Sequence, residues 1–165
     1  MYERYRGLGK VIQRGAQMAD WVIVVDDDEK NLMVAGHILN AAHMRVTAIK
    51  SGAALLAFLK EREIPDLILL DIKMPDMDGF ETLAELRKLP KAKDVPVIFL
   101  TADDKGETEA TGLSLGAVDF IKKPFVPEIV INRINRVLQL EDLNKNLEGL
   151  VKEKTTQIEQ LSFEI

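Results

Sequence analysis

The sequence has 165 residues, a net charge of −5 at neutral pH and no cysteine. The length fits one domain of ordinary size plus an appendage, and a 47% share of hydrophobic residues is enough to fill a core. The absence of cysteine excludes disulfide frameworks, thiolate catalysis and cysteine-ligated zinc. The acidic balance argues against a nucleic-acid partner, and no apolar stretch approaches the roughly 20 residues of a membrane span. We therefore expect a cytoplasmic protein that binds neither nucleic acid nor membrane.

The first 20 residues differ from the rest of the chain. They scatter basic residues among glycines with no sustained helix or strand period, as Arg4, Arg6, Lys10 and Arg14 show. We expect residues 1–20 to form a flexible leader, residues 21–138 to form the folded domain and residues 139–165 to form a helical linker. Because the apolar pattern is still running at Ile165, we expect the linker to be truncated before an effector domain.

Residues 21–136 alternate short apolar runs with segments of helical spacing. This alternation is typical of βα units, in which helices surround a parallel sheet. Three of the runs are apolar on both faces, as expected for strands that are covered on both sides. We therefore predict an α/β fold with a doubly wound, five-stranded parallel sheet. The predicted strands span residues 22–25, 46–49, 67–70, 97–100 and 118–121.

Local signals place several helix ends. Asp28 and Ser51 are suited to begin helices, since their side chains can accept hydrogen bonds from backbone N–H groups, and Gly116 is suited to end one. The fourth helix, predicted over residues 107–115, is the weakest because two threonines and Gly112 lower its propensity. We expect it to be the most mobile helix.

Residues 128–165 contain no proline and one glycine, which predicts a single long helix that runs well past the domain. Its apolar residues follow the 3-4-3 spacing of a coiled-coil seam and then continue in a shifted phase, a stutter. We favour a parallel coiled coil between two chains, because the domain's own helices already cover the sheet. The alternative is an amphipathic helix that folds back on its own domain. The seam residues are Leu140, Leu143, Leu147 and Leu150, then Val151, Ile158, Leu161 and Ile165.

Polar residues interrupt the apolar pattern at the carboxyl ends of the predicted strands. Asp26 and Asp27 follow the first strand, Asp71 the third, Thr101 the fourth and Lys123 the fifth. Ligands of open α/β sheets bind beyond these ends, and a strand order of 2-1-3-4-5 would bring the three carboxylates together. Their repulsion favours a bound cation, and all-oxygen ligands suit Mg²⁺. With a lysine and a threonine to hold phosphoryl oxygens, the set predicts phosphoryl transfer with Asp71 as the nucleophile.

Four motifs in this order and spacing resemble the receiver domain of bacterial two-component response regulators. The resemblance covers about residues 21–140 and implies the flavodoxin-like strand order 2-1-3-4-5. It also implies a signalling domain rather than an enzyme. The motifs are Val25-Asp26-Asp27, the segment from Leu70 to Gly79 around Asp71, Leu100-Thr101-Ala102 and Lys123-Pro124-Phe125.

The resemblance also implies the roles of the site residues. Asp71 would accept a phosphoryl group from a phosphohistidine on a sensor histidine kinase or a phosphotransfer protein. Mg²⁺ would be held by Asp26, Asp27, Asp71 and the backbone carbonyl of Lys73. Thr101 and Lys123 would bind phosphoryl oxygens, and Thr101 would act as a switch together with Phe120, where many relatives carry tyrosine. The Lys123-Pro124 bond is expected to be cis.

Two loop charges beside the site depart from any fixed pattern. Lys73 lies two residues after Asp71, and Asp103 lies two residues after Thr101. An ion pair between Lys73 and Asp103 could hinder the hydrolytic water, which would give a slowly self-dephosphorylating receiver. The equally weighted alternative is that both charges are simply solvated.

The sequence leaves two classes of output for the domain. In the first, phosphorylation shifts an equilibrium at the fourth helix, fifth strand and fifth helix, and the long helix passes this change to a dimer or a downstream domain. In the second, the chain is the regulatory fragment of a larger enzyme, such as an HD-GYP phosphodiesterase, a diguanylate cyclase or a hybrid kinase. A dehalogenase-type phosphatase is disfavoured, because it would need an aspartate where Lys73 stands.

Overall fold

The computed structural model describes residues 19–164 of the chain, with side chains as far as residue 160. The predicted leader therefore lies outside the described residues, apart from Ala19 and Asp20. Within the described part, strands alternate with helices from end to end. The strands are β1 (Trp21–Val25), β2 (Arg45–Ile49), β3 (Leu67–Asp71), β4 (Val97–Thr101) and β5 (Asp119–Lys122). The helices are α1 (Glu29–Ala41), α2 (Gly52–Glu61), α3 (Gly79–Leu86), α4 (Gly106–Ser114) and α5 (Pro127–Glu164).

The five strands form one parallel sheet with the order β2-β1-β3-β4-β5. This confirms the predicted fold class and strand order. Successive side chains of a strand point to opposite faces, so each face has its own core. On one face, Val22 and Val24 of β1 pack with α1 and with the first part of α5. On the other face, Ile23 and Val25 pack with α2 and α3.

The predicted helix ends are confirmed by hydrogen bonds and backbone angles. The side chain of Asp28 accepts from the backbone N–H of Lys30, and the side chain of Ser51 accepts from that of Ala54. Gly116 follows α4 with a φ of +103°, a conformation that glycine adopts without steric cost. The fourth helix is present as predicted, and its mobility stays a prediction.

The long C-terminal helix is confirmed as one continuous element, α5. Its first part is anchored in the core through Val130, Ile134, Val137 and Leu138. Beyond these residues the seam leucines from Leu140 to Leu150 are each more than half exposed, from 54% at Leu140 to 58% at Leu147, whereas the side chains of Leu161 and Ile165 lie outside the described part. The exposed leucines therefore do not pack against the domain, and pairing with a second chain stays a prediction. No helix in the described part of the chain is both long and apolar enough to span a membrane.

Candidate phosphoryl-transfer site

The parallel sheet brings the predicted site residues to one edge. Val25 lies beside Leu70 in the β1–β3 pair, so Asp26 comes directly after β1 at the place where Asp71 ends β3. The backbone N–H of Lys123 donates to the carbonyl of Thr101 at 2.8 Å, which fixes the end of β5 against the end of β4. Convergence at this edge is thus a consequence of strand order.

The three carboxylates form a compact acidic cluster. Asp26, Asp27 and Asp71 each offer an oxygen that lies within 4.8 Å of the other two. Asp26 is fully buried and Asp71 is 5% exposed, whereas Asp27 is open to solvent. Carboxylates at this separation repel one another strongly where water is excluded.

Lys123 supplies the positive charge that faces this cluster. Its Nζ lies 2.9 Å from Oδ2 of Asp26 and 3.1 Å from Oδ1 of Asp71, and its side chain is 18% exposed. Burial by itself lowers the pKa of Lys123, but its contacts with Asp26 and Asp71 outweigh burial and leave this pKa above the ordinary value. The lysine is therefore charged at physiological pH.

One ammonium does not neutralise the cluster. Burial, followed by the repulsion of Asp26, raises the pKa of Asp71 to about 6, although Lys123 acts in the opposite direction. A carboxylate whose pKa lies above its ordinary value is destabilised in its charged form, and a further cation would relieve that destabilisation. The electrostatics of the site thus favour a bound cation.

The donor set fits Mg²⁺, which prefers carboxylate and carbonyl oxygens and keeps several waters. Oδ1 of Asp26 accepts from the backbone N–H of Asp28 at 2.9 Å. Oδ2 of Asp26 is buried and has no well-aligned hydrogen-bond donor among residues 19–164, although the ammonium of Lys123 is near. The exposed loop residue Lys73 has a backbone carbonyl that accepts no hydrogen bond within the described chain. The roles of Asp26, Asp27, Asp71 and the backbone carbonyl of Lys73 as ligands stay predictions.

A glycine allows α3 to begin directly behind the phosphoacceptor candidate. A Cβ on Gly79 would lie 2.4 Å from the carbonyl oxygen of Asp71 and 2.8 Å from the Cα of Ile72. Both neighbours are backbone atoms and cannot move aside cheaply. The N–H of Gly79 also donates to the carbonyl of Ile72 at 2.7 Å, so the loop between β3 and α3 closes tightly under the site.

Thr101, the last residue of β4, is 4% exposed. Its Oγ1 accepts from the backbone N–H of Asp103 at 2.9 Å. The carboxylate of Asp103 in turn accepts from the N–H of Lys105 at 2.9 Å and from the hydroxyl of Thr108 at 3.0 Å. These hydrogen bonds hold the pKa of Asp103 below its usual value, with a smaller contribution from the charge of Lys73.

The hypothesis of an ion pair between Lys73 and Asp103 is wrong for this structure. The carboxylate of Asp103 turns toward the start of α4, where two donors lie close to it in the sequence. Short side chains such as aspartate often bond backbone groups a few residues ahead, and such local bonds compete with longer contacts.

Phe120, the predicted switch residue, points inward and is 7% exposed. Its ring lies 5.7 Å from that of Phe99, centroid to centroid. Gly112, the one buried residue of α4, covers it so closely that a Cβ there would lie 2.5 Å from Cζ of Phe120. From the sequence, Gly112 was predicted only to weaken the helix, and its contact with Phe120 was not predicted.

Two arginines that the sequence analysis did not single out tie β5 to α5. Arg133 and Arg136 contact the two carboxylate oxygens of Asp119 at 2.8 and 3.0 Å. The two arginines lie three residues apart and so share a helix face, which is a signal that the sequence did contain. They connect the strand that carries Phe120 and Lys123 to the long helix.

Comparison with known proteins agrees with this geometry. The chain matches the response regulator receiver domain over residues 22–135. It is 37% identical over 118 residues to a probable cyclic di-GMP phosphodiesterase of Vibrio cholerae, which covers 72% of this chain and 26% of that protein. It is 34% identical over 124 residues to response regulator PleD of Caulobacter vibrioides, which covers 75% of this chain and 27% of that protein.

The fold is similar to that of chemotaxis protein CheY4 of Vibrio cholerae, with a TM-score of 0.68 and 30% identity over 72% of this chain and 98% of that one. The chain spans about a quarter of the length of the two full-length relatives. The family match covers well over half of the chain and coincides with the sheet and its acidic edge. The chain therefore belongs to the family of response regulator receiver domains.

Proposed function

We propose that this chain accepts a phosphoryl group on Asp71 from a phosphohistidine of a sensor histidine kinase or a phosphotransfer protein, in the cytoplasm. The single observation that carries the proposal is the position of Asp71, whose buried carboxylate lies between two other aspartates and an ammonium. Family membership supports it independently.

Each site residue has a separate role in the phosphoryl transfer. A carboxylate oxygen of Asp71 attacks the phosphorus, the bond from phosphorus to the donor's imidazole nitrogen breaks, and an acyl phosphate forms. Lys123 neutralises phosphoryl oxygens, and the hydroxyl of Thr101 donates to one of them. Asp26, Asp27, Asp71 and the carbonyl of Lys73 would hold Mg²⁺, which when bound supplies charge neutralisation for the transferring group.

An apolar groove between α1 and the start of α5 supports docking of a helical phosphodonor. α1 and the start of α5 border a groove of about 600 Å³ lined by Ile38, Ala41 and Ile131, among others. Met33 of α1 and Ile129 of α5 are 64% and 46% exposed. Exposed apolar residues on the two helices that border the groove favour a partner surface.

Mass spectrometry tests the chemistry directly. After incubation with acetyl phosphate and Mg²⁺, we expect the wild-type chain to gain one phosphoryl group and Asp71→Asn to gain none. A chelator should slow the gain about tenfold or more, because the charge of the transferring group is then uncompensated. The matched control is Asp76→Asn in the same loop, where asparagine tolerates the observed φ of 68°. An equal gain in Asp71→Asn and wild type would overturn the proposal.

We also propose that two chains pair through α5 and that phosphorylation is transmitted along this helix. The support is the row of exposed leucines at 3-4-3 spacing on a helix that extends beyond the domain core. Sedimentation velocity should show a concentration-dependent dimer that is lost when Leu143 and Leu147 are both replaced by glutamate. Glutamates at Lys145 and Lys152, off the seam, should leave the dimer intact, and a monomer at every concentration would contradict the pairing.

The second candidate function is that of a regulatory part of a larger enzyme. It is favoured by the relative named as a probable cyclic di-GMP phosphodiesterase, of which this chain matches only a quarter. Sequencing the reading frame around these 165 residues distinguishes the two candidates.

A further inference from the structure

A continuous series of hydrogen bonds leads from the site to the first turn of α4. Oγ1 of Thr101 accepts from the N–H of Asp103, and the two carboxylate oxygens of Asp103 accept from Lys105 and Thr108. Asp103 therefore contacts the site through its backbone and α4 through its side chain. None of the family motifs includes this residue.

The first turn of α4 has little else to hold it. The residue that precedes α4, Lys105, makes no side-chain capping hydrogen bond, unlike Asp28, Ser51 and Asp78 before the first three helices. Only Gly112 of this helix is buried, near its other end. Asp103 accepts from the N–H of Lys105, directly before α4, and from the hydroxyl of Thr108 in its first turn, so it holds this turn at two points.

The hydroxyl of Thr101 is held by the loop that leads into α4. Its oxygen is engaged by Asp103, and within the described residues its proton has no acceptor. Rotation of Thr101 toward a phosphoryl group on Asp71 would withdraw the acceptor from the N–H of Asp103. The first turn of α4, which the side chain of Asp103 contacts, would then lose its connection to Thr101.

We propose that Asp103 is a positioning residue that couples the rotamer of Thr101 to the order of the first turn of α4. The inference rests on the proposed function, because phosphorylation at Asp71 supplies the reason for Thr101 to move. The coupling is reciprocal. A change that weakens the hydrogen bonds of the first turn of α4 lowers the free energy needed to rotate Thr101, and rotation of Thr101 weakens the hydrogen bonds of that turn.

Hydrogen exchange with beryllofluoride as the phosphoryl mimic tests both directions. In the wild-type chain, beryllofluoride and Mg²⁺ should speed exchange of the amides of residues 103–108 about fivefold, the effect of losing roughly one hydrogen bond. Asp103→Ala should show this fast exchange without beryllofluoride and no further increase with it. It should also bind beryllofluoride about two- to fivefold more tightly, since Thr101 is then easier to move.

Asp104→Ala is the matched control. It removes the same charge one residue away, from an exposed side chain that pairs only with Lys122 among the described residues. It should leave both the exchange of residues 103–108 and the effect of beryllofluoride on it unchanged. Thr108→Val keeps the shape of the side chain and removes one bond to Asp103, so it should give an intermediate exchange rate even if Asp103→Ala folds poorly.

The outcomes separate this inference from the proposed function. If Asp103→Ala and Thr108→Val behave like Asp104→Ala while wild type binds beryllofluoride, the coupling through Asp103 is wrong and the phosphoacceptor function stands. If wild type gains no phosphoryl group from acetyl phosphate, the function itself fails. Faster exchange in Asp103→Ala without tighter beryllofluoride binding would limit Asp103 to holding the first turn of α4 and overturn the coupling.

Discussion

Replacing Lys123 with methionine is expected to lower the free energy of unfolding of the metal-free chain by about 3 kcal/mol above about pH 7. Lys123 faces the buried carboxylates of Asp26 and Asp71 at 2.9 and 3.1 Å. Removal of one partner from a buried ion pair leaves the other charge without compensation, which costs more than the pair itself contributes. Urea denaturation in the presence of a chelator measures the change.

The expected loss depends on pH and on metal. It should shrink as the pH falls through about 6, because Asp71 then takes up a proton and no longer needs a counter-charge. Mg²⁺ should restore part of the stability, by about 2–3 kcal/mol at a hundredfold excess over its dissociation constant. A variant that cannot be purified without metal can be prepared with Mg²⁺ and then chelated.

Lys122→Met provides the control for this prediction. Lys122 is the preceding residue, and its ion pair with Asp104 lies at 3.1 Å with both side chains more than half exposed. An exposed pair contributes less than about 1 kcal/mol. If the two lysine variants lost the same stability, the ion pairs of Lys123 with the acidic cluster would not be the cause.

The fold and the acidic cluster could be predicted because each depends on a simple rule. Apolar runs separated by helical segments predict a parallel sheet, and the carboxyl ends of parallel strands lie on one edge. Asp26, Asp27 and Asp71 follow or end strands, so placing the strands also placed the carboxylates. The order β2-β1-β3-β4-β5 confirmed the one step that spacing alone leaves open.

The direction of individual side chains could not be predicted in the same way. Asp103 was given two equally weighted possibilities, an ion pair with Lys73 or a solvated side chain, but it bonds Lys105 and Thr108. The competition among nearby donors depends on loop geometry within a few tenths of an ångström. In the sequence, Gly112 indicated only a low helix propensity. Its role in the structure is steric and depends on how α4 lies over Phe120. A pattern of residue types carries no such distances.

Asp71→Asn is expected to raise the free energy of unfolding of the metal-free chain by about 1–3 kcal/mol above about pH 7. Burial and the charge of Asp26 raise the pKa of Asp71 to about 6 from an ordinary value of 3.8. The folded chain therefore binds a proton at Asp71 more tightly than the unfolded chain does. The charged carboxylate is the less stable form in the fold, and asparagine removes it.

The sign of the pH dependence follows from the same pKa. Asp71 contributes most to stability below about pH 4, and this contribution is lost as the pH rises toward about 6. The difference between Asp71→Asn and wild type should thus be small near pH 4, grow up to about pH 6 and remain constant above it. Asp27→Asn is the control, since it makes the same change in the same cluster at a residue open to solvent. A loss of stability in Asp71→Asn at high pH would contradict repulsion within the cluster.

The double variant Asp71→Asn, Lys123→Met connects the two predictions. If Lys123 stabilises the fold by compensating the carboxylates, removing one of them should recover about 1–2 kcal/mol of the stability lost in Lys123→Met. If the lysine acts mainly through the packing of its aliphatic stem, the two effects should simply add. If the double variant recovers stability in chelator above about pH 7 but recovers none near pH 4, charge alone couples Asp71 and Lys123.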